Sequence, residues 1–296
     1  MKFIYCQPAN KRFQWELEVS IHSLSKLGYT DFVVLFGEDD RSVVQYIQDR
    51  FPSATIHSYP VDWNTINEYH PAVKPYLWWK YLEENPEASD ETYFYLDSDV
   101  ILRERVDEDK LQATATKWFG SDCSHYLNYD YLMRCDGGEP VINTMTSICQ
   151  LSISTLKSLN HSSIGAQCVL SQPSADFWKK VYEDSMAIHK ALKPMHTSVQ
   201  KWTAEMWAFL FNMPYFGIEP VISPELDFAW ATDPINRWDE TKVYHNAGVG
   251  WAQQNELFFK GKYTDGKEPF DDDLSFVDPT RCSSKYVEAI KGVKMK

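Results

Sequence analysis

Apolar residues fall in short blocks along the first third of the chain, set apart by longer amphipathic stretches. Lys2–Gln7 (KFIYCQ), Asp31–Phe36 (DFVVLF) and Ala54–Tyr59 (ATIHSY) have the length and the aromatic and β-branched content of buried strands. Gly37 ends the second block and Pro60 the third. Between them, Phe13–Leu27 sets Trp15, Val19, Ser20 and Leu24 on one helical face ahead of Gly28, and Val43–Arg50 predicts a second helix. Strands alternating with helices at this spacing imply an α/β fold with a mostly parallel sheet and helices on both faces.

The pattern continues through Lys74–Glu83 (KPYLWWKYLE), a predicted helix with Pro75 near its start, and a polar loop at Glu84–Glu91. It then reaches Thr92–Leu102 (TYFYLDSDVIL), where the apolar run Tyr93–Leu96 reads as a buried central strand running straight into Asp97 and Asp99. On an extended strand, residues two apart face the same side, so these two carboxylates would point together and Ser98 away. Carboxylates this close repel and raise one another's pKa unless a cation sits between them, and oxygen ligands favour Mg²⁺ or Mn²⁺ over zinc. The competing reading is an ordinary strand end whose aspartates face water and cap a turn. Lys74 is either a surface lysine or holds an anionic ligand beyond the carboxyl ends of the strands, where ligands sit in such sheets.

Composition narrows the class. With 296 residues, 44% of them hydrophobic, the chain is long enough to bury a full core, as one large α/β domain or two small ones. No apolar stretch approaches the length of a membrane span, and Met1–Arg12 lacks the apolar region of a secretory signal, so a cytoplasmic protein is expected. Six cysteines without a Cys-x-x-Cys pair or zinc-like spacing suit reduced thiols rather than disulfides or structural zinc. A net charge of −13 lacks the basic footprint of a nucleic-acid binder. An acidic chain that handles a phosphorylated small molecule would need a metal and a few placed lysines, in keeping with the aspartate pair.

Four segments taken in order carry a resemblance. Lys74 ahead of a helix and the aromatic strand ending in Asp-x-Asp come first. Ile164–Ser174 (IGAQCVLSQPS) follows, then Lys201–Phe211 (KWTAEMWAFLF), then Val243–Trp251 (VYHNAGVGW). Together, over residues 1–251, they resemble the nucleotide-sugar glycosyltransferases of the GT-A fold, especially the glycogenin-like family 8 type.

That resemblance implies a Rossmann-type GT-A domain over 1–251, with 252–296 as an extension packing on it. It implies transfer of a sugar, with retention of configuration, from a nucleotide-diphosphate donor, a UDP-sugar first among the candidates. Asp97, Asp99 and His245 would hold Mn²⁺ or Mg²⁺, and one imidazole with two carboxylates is a donor set that suits such an ion. Glu205 would sit near the sugar, binding hydroxyls or stabilising positive character at the anomeric carbon, or acting as general base if the enzyme inverted. Asp122 is a candidate for contact with sugar or acceptor, and Gln7, Lys74, Gly165 and Gly248 for contact with the donor. The family often carries a lysine between the late glycine and the tryptophan; here Val249-Gly250 stands there, which leaves Lys262 or Lys260 to grip a phosphate.

Each assignment has a plainer counterpart: His245 as a loop residue, Glu205 as an exposed helix charge, Asp122 as part of a surface loop, Gln7 as a turn residue, and Lys260 and Lys262 as solvated lysines. His189 and His196 are read as surface residues. The YCQPAN opening and short form are similar to phage-encoded transferases, for which a virion protein or a modified DNA base would be the acceptor; saccharide acceptors stay open. Two other functions compete. A haloacid-dehalogenase-type phosphatase would use one of Asp97 and Asp99 as nucleophile and the other as acid, with Asp271–Asp273 as its late acidic residues, but would leave Gly165, Glu205 and His245 unexplained. A non-catalytic nucleotide-sugar-binding protein of the same fold would bind without turnover. Beyond Trp251 the chain is acidic at 271–273 and amphipathic and basic over 285–296.

Overall fold

A computed structural model describes residues 1–264 and 266–294; the last two residues of the basic stretch 285–296 lie outside the described residues. The predicted blocks become β1 (Lys2–Pro8), β2 (Phe32–Gly37) and β3 (Thr55–Tyr59), and the helices between them span Lys11–Lys26 and Arg41–Arg50. Asn10 and Asp40 start these helices by accepting hydrogen bonds from the backbone N–H groups of Phe13 and Ser42. The next helix covers Val73–Glu84.

The aspartate stretch departs from expectation. Thr92–Leu102 is two short strands rather than one, β4 (Thr92–Tyr95) and β5 (Val100–Leu102), joined by a turn that carries both aspartates. The chain leaves one sheet at Tyr95 and enters another at Val100, so strand alternation is not what brings Asp97 and Asp99 together.

The remaining strands are β6 (Lys117–Asp122), β7 (Ile164–Ser171), β8 (Glu219–Ile222), β9 (Phe228–Trp230) and β10 (Val243–His245). The large sheet has seven strands in the order β3-β2-β1-β4-β7-β6-β8. β3, β2, β1 and β4 run parallel, while β7 is antiparallel to both β4 and β6. The sheet is thus mostly parallel with one reversed strand, flanked by helices, and the carboxyl ends of β1 and β4 share one edge. The small sheet has the order β5-β10-β9, with His245 opposite Val100.

Both faces of the large sheet are sealed by side chains that alternate along the strands. On one face Tyr93 and Tyr95 pack under Trp78 and Trp178, whose rings stack 5.0 Å apart at 1°. Phe3, Phe94 and Val34 fill the other face. A third apolar cluster joins Trp15 and Val19 to Ile101 and Tyr244 of the small sheet and to Phe258, Tyr263, Tyr286 and Ile290 from the C-terminal part. The helix Ser283–Lys294 covers the amphipathic end of the chain. The helix Lys11–Lys26 is therefore buried between the large sheet and the small one, which accounts for its unusual burial of Gln14, Glu16 and Glu18.

Candidate functional site

The edge where β1 and β4 end opens into a cleft of about 1050 Å³, to which Gln7, Lys74, Asp97, Asp99, Gly165, Glu205 and His245 all contribute. Ser98 points inward, where its hydroxyl donates 2.6 Å to buried Glu16, itself bridged by Arg12 at 3.0 Å. Asp97 and Asp99 face the cleft. Asp99 is almost fully buried, and its carbonyl accepts the N–H of Asn246, which locks the turn to the end of β10.

His245 Nε2 stands 3.3 Å from Asp99 Oδ1 and 3.7 Å from Asp97 Oδ2. One ligand atom from each of the three residues falls within 4.8 Å of the others. Ligand atoms around an ion with metal–oxygen distances near 2.1 Å stand roughly 3–4.3 Å apart, so this donor set fits Mg²⁺ or Mn²⁺ with small movements. Trp230 lies parallel to the imidazole at 6.0 Å, and His245 Nδ1 is 3.2 Å from the side-chain amide of Gln167.

Two lysines neutralise the aspartates. Lys74, in the first turn of its helix, donates to Asp97 Oδ1 at 2.5 Å, and Lys260 donates to Asp99 Oδ2. Burial works against the charge on Asp99, but Lys260 and His245 outweigh it and hold this carboxyl well below the usual range. Burial likewise disfavours the ammonium of Lys74, yet Asp97 and Glu205 raise its pKa on balance.

Glu205 opens the helix Ala204–Tyr215, which is shorter at its start than Lys201–Phe211 suggested because Lys201–Thr203 forms a separate 3₁₀ turn. Its N–H donates to the Tyr69 hydroxyl at 2.7 Å, which in turn donates to the Trp202 carbonyl at 2.6 Å. Burial lifts the Glu205 carboxyl to about 7, with Lys74 pulling it down and Asp97 pushing it up. It is not an exposed helix charge.

The other predicted positions are placed as follows. Gln7 is buried at the end of β1. A side chain at Gly165 would meet Met206 Cε at 2.9 Å and Cys123 Sγ at 3.0 Å, so close packing alone requires glycine there. Gly248, with φ +85°, and Asp122, which is exposed and accepts the Ser124 N–H at 2.9 Å, are not among the cleft-lining residues. Lys262 donates to the Gln254 carbonyl at 2.8 Å and lies over the Phe276 ring, away from the aspartates that Lys260 reaches. Asp271, Asp272 and Asp273 are exposed and line no part of the cleft, so the late acidic residues of a phosphatase are not at this edge. Sequence reasoning passed over Gln167, Ser121 and Glu16. The signal available was polarity out of place: Gln167 interrupts an apolar strand, and Glu16 sits beside Trp15 and about one turn before Val19 on a buried helix.

No family model matches the chain, and no curated protein matches it. Solved structures do. The bifunctional glycosyltransferase WbbM in its apo form superposes over 98% of this chain at 11% identity with a TM-score of 0.51, and this chain spans 49% of WbbM. The galactosyltransferase LgtC in complex with donor and acceptor sugar analogues matches 100% of this chain and 97% of its own, at 11% identity and a TM-score of 0.55. An active-site mutant of LgtC matches 98% and 95% at 11% identity and 0.53. A sheet with one reversed strand, a small second sheet and an Asp-Asp-His cluster at their junction is thus carried on the single-domain α/β fold of GT-A glycosyltransferases.

Proposed function

We propose that this chain is a glycosyltransferase that moves a sugar from a nucleotide-diphosphate donor, a UDP-sugar in the first instance, to an acceptor hydroxyl with the help of Mn²⁺ or Mg²⁺. The observation that carries the reading is the convergence of Asp97, Asp99 and His245 beside two lysines at the carboxyl edge of the sheet. A divalent ion there supplies charge neutralisation for a departing diphosphate.

The chain's own residues divide the work. Asp97, Asp99 and His245 bind the cation. Lys74 and Lys260, which pair with the aspartates here, would turn to phosphate oxygens with the cation held, and Lys260 would take the place of the lysine missing between Gly248 and Trp251. Gln7 stands at the end of β1 to meet the nucleotide. Glu205, held by Tyr69, faces the same cleft with a carboxyl near neutrality, suited to bind sugar hydroxyls or to stabilise positive charge at the anomeric carbon. The glycogenin-like resemblance favours retention, and no nucleophile is assigned. The acceptor is a saccharide, a protein such as a virion component, or a modified base.

A thermal-shift screen of nucleotide sugars with and without Mn²⁺ tests this, because a ligand that binds only the folded state raises its melting temperature. A Mn²⁺-dependent shift with one nucleotide sugar, lost in Asp99→Asn, is the expected result. Release of phosphate from a generic ester, with no response to any nucleotide sugar, would replace the reading with a phosphatase.

A further inference from the structure

Behind His245 lies a buried polar pair that the apolar pattern of β7 does not call for. Gln167 and Ser121 are both fully inaccessible. Pairing between β6 and β7 jumps from Gly120 opposite Cys168 to Ser121 opposite Gly165, which leaves Ala166 and Gln167 outside the ladder. Ala166 takes up the bulge with φ +56°, a left-handed conformation that costs a non-glycine residue about 1 kcal/mol or more. Bulges of this kind re-aim side chains beside functional sites, and this one sets the Gln167 amide against His245 Nδ1.

Hydrogen counting decides how that amide is turned. Ser121 Oγ has one proton and stands 2.6 Å from the Leu226 carbonyl and 2.7 Å from one terminal atom of the Gln167 amide. A carbonyl only accepts, so the Ser121 proton belongs to Leu226. If Oε1 of Gln167 faced Ser121, two oxygens would meet at hydrogen-bond distance with no hydrogen between them. With the amide rotated by half a turn, its Nε2 donates to Ser121 Oγ and its Oε1 faces His245 Nδ1. Nδ1 must then carry a proton. In a neutral ring the lone pair is thereby placed on Nε2, the nitrogen 3.3 Å from Asp99.

We propose that Gln167 is a positioning residue for His245. Its Oε1 accepts the Nδ1–H, leaves the Nε2 lone pair to a divalent cation, and is held in that orientation by Ser121. The inference rests on the reading of Asp97, Asp99 and His245 as a metal site. Outer partners of this kind orient the ligand and fix its tautomer.

The test titrates Mn²⁺ alone into the purified protein by calorimetry and reads the His245 nitrogens by ¹⁵N NMR in the metal-free wild type. Gln167→Leu is expected to weaken Mn²⁺ binding about 10- to 100-fold, Gln167→Glu to retain it because an oxygen is kept at Nδ1, and Ser121→Ala to weaken it less than Gln167→Leu. The NMR spectrum is expected to show a proton on Nδ1, a result that needs no variant to fold. An unprotonated Nδ1 overturns the proposal, as does unchanged Mn²⁺ affinity in folded Gln167→Leu. A wild type that binds no Mn²⁺ overturns the metal reading itself, and this proposal with it.

Discussion

Lys74 Nζ and Asp97 Oδ1 lie 2.5 Å apart, so the first aspartate of the pair is bonded to a lysine in the first turn of the helix that carries Trp78. Each partner comes from the amino-terminal or carboxyl end of an element that meets the cleft, and neither has a second role in the core. A lysine in this place competes with any other cation for Asp97. Replacing it should therefore separate metal binding from donor binding: Lys74→Met is expected to tighten Mn²⁺ binding by up to about tenfold, or ~1.4 kcal/mol, while weakening nucleotide-diphosphate binding. Calorimetric titration of each ligand separately checks both signs.

The two C-terminal lysines should behave differently. Lys260 reaches Asp99, whereas Lys262 is turned to Gln254 and Phe276. Lys260→Met is expected to lower donor affinity at least about tenfold, roughly the value of one charge-assisted hydrogen bond, and Lys262→Met to leave it within a factor of about two. Equal effects, measured as donor Kd in the presence of Mn²⁺, would remove Lys260 from the site.

Glu205 links stability to pH. Its carboxyl titrates near 7 in the folded chain against about 4.5 unfolded. Between those values the folded state holds a proton that the unfolded state has released, so stability falls as pH rises through this window and the loss is complete above about 7. The amount is roughly 3–4 kcal/mol, at about 1.4 kcal/mol per tenfold change in proton affinity. In the metal-free protein, Glu205→Gln should flatten Tm between pH 5 and 8 relative to wild type, at roughly those values. It should also lower sugar transfer more than nucleotide binding.

The stacked indoles test the core. Trp178→Ala should cost about 3–5 kcal/mol, as expected for a large aromatic in a packed interior. Trp178→Phe should cost markedly less than its lost volume implies, because the buried indole N–H of Trp178 has no hydrogen-bond partner among the described residues. Urea denaturation of the two variants measures the difference.

The bulge at Ala166 makes a backbone prediction. A β-branched side chain tolerates positive φ poorly, so Ala166→Val should destabilise by about 1–3 kcal/mol. It should also disturb Mn²⁺ affinity through Gln167, whereas a valine at exposed Ala252 should alter neither.

Much of this architecture could be read from local pattern, because local pattern is what places strands and helices. The blocks at β1, β2 and β3 and the Val73–Glu84 helix are bounded by residues with fixed backbone habits, such as Gly28, Gly37 and Pro60. The break after Tyr95 was not visible, since Leu96 and Val100–Leu102 continue the apolar run and nothing local says that the chain changes sheets there. Spacing points to Asp97 and Asp99, yet they converge because a turn is pinned to Glu16 and Asn246, both far away in sequence. Lys260 and Lys262 are nearly identical in local context, and only tertiary packing of the C-terminal part separates them. Gln167 shows the same limit, because its meaning depends on a hydrogen-bond partner supplied by β10.

The junction of the two sheets also bears on the order of synthesis. Both aspartates are made before His245 and Lys260, of which His245 reaches them through the small sheet and Lys260 from the segment beyond it. A nascent chain that stops short of β10 carries the acidic pair without its imidazole or its second ammonium group. Such a fragment keeps only Lys74 to offset the two carboxylates, and the almost fully buried Asp99 is left without either of its own partners. A fragment that lacks β10 and the segment carrying Lys260 therefore lacks the complete cluster of Asp97, Asp99 and His245.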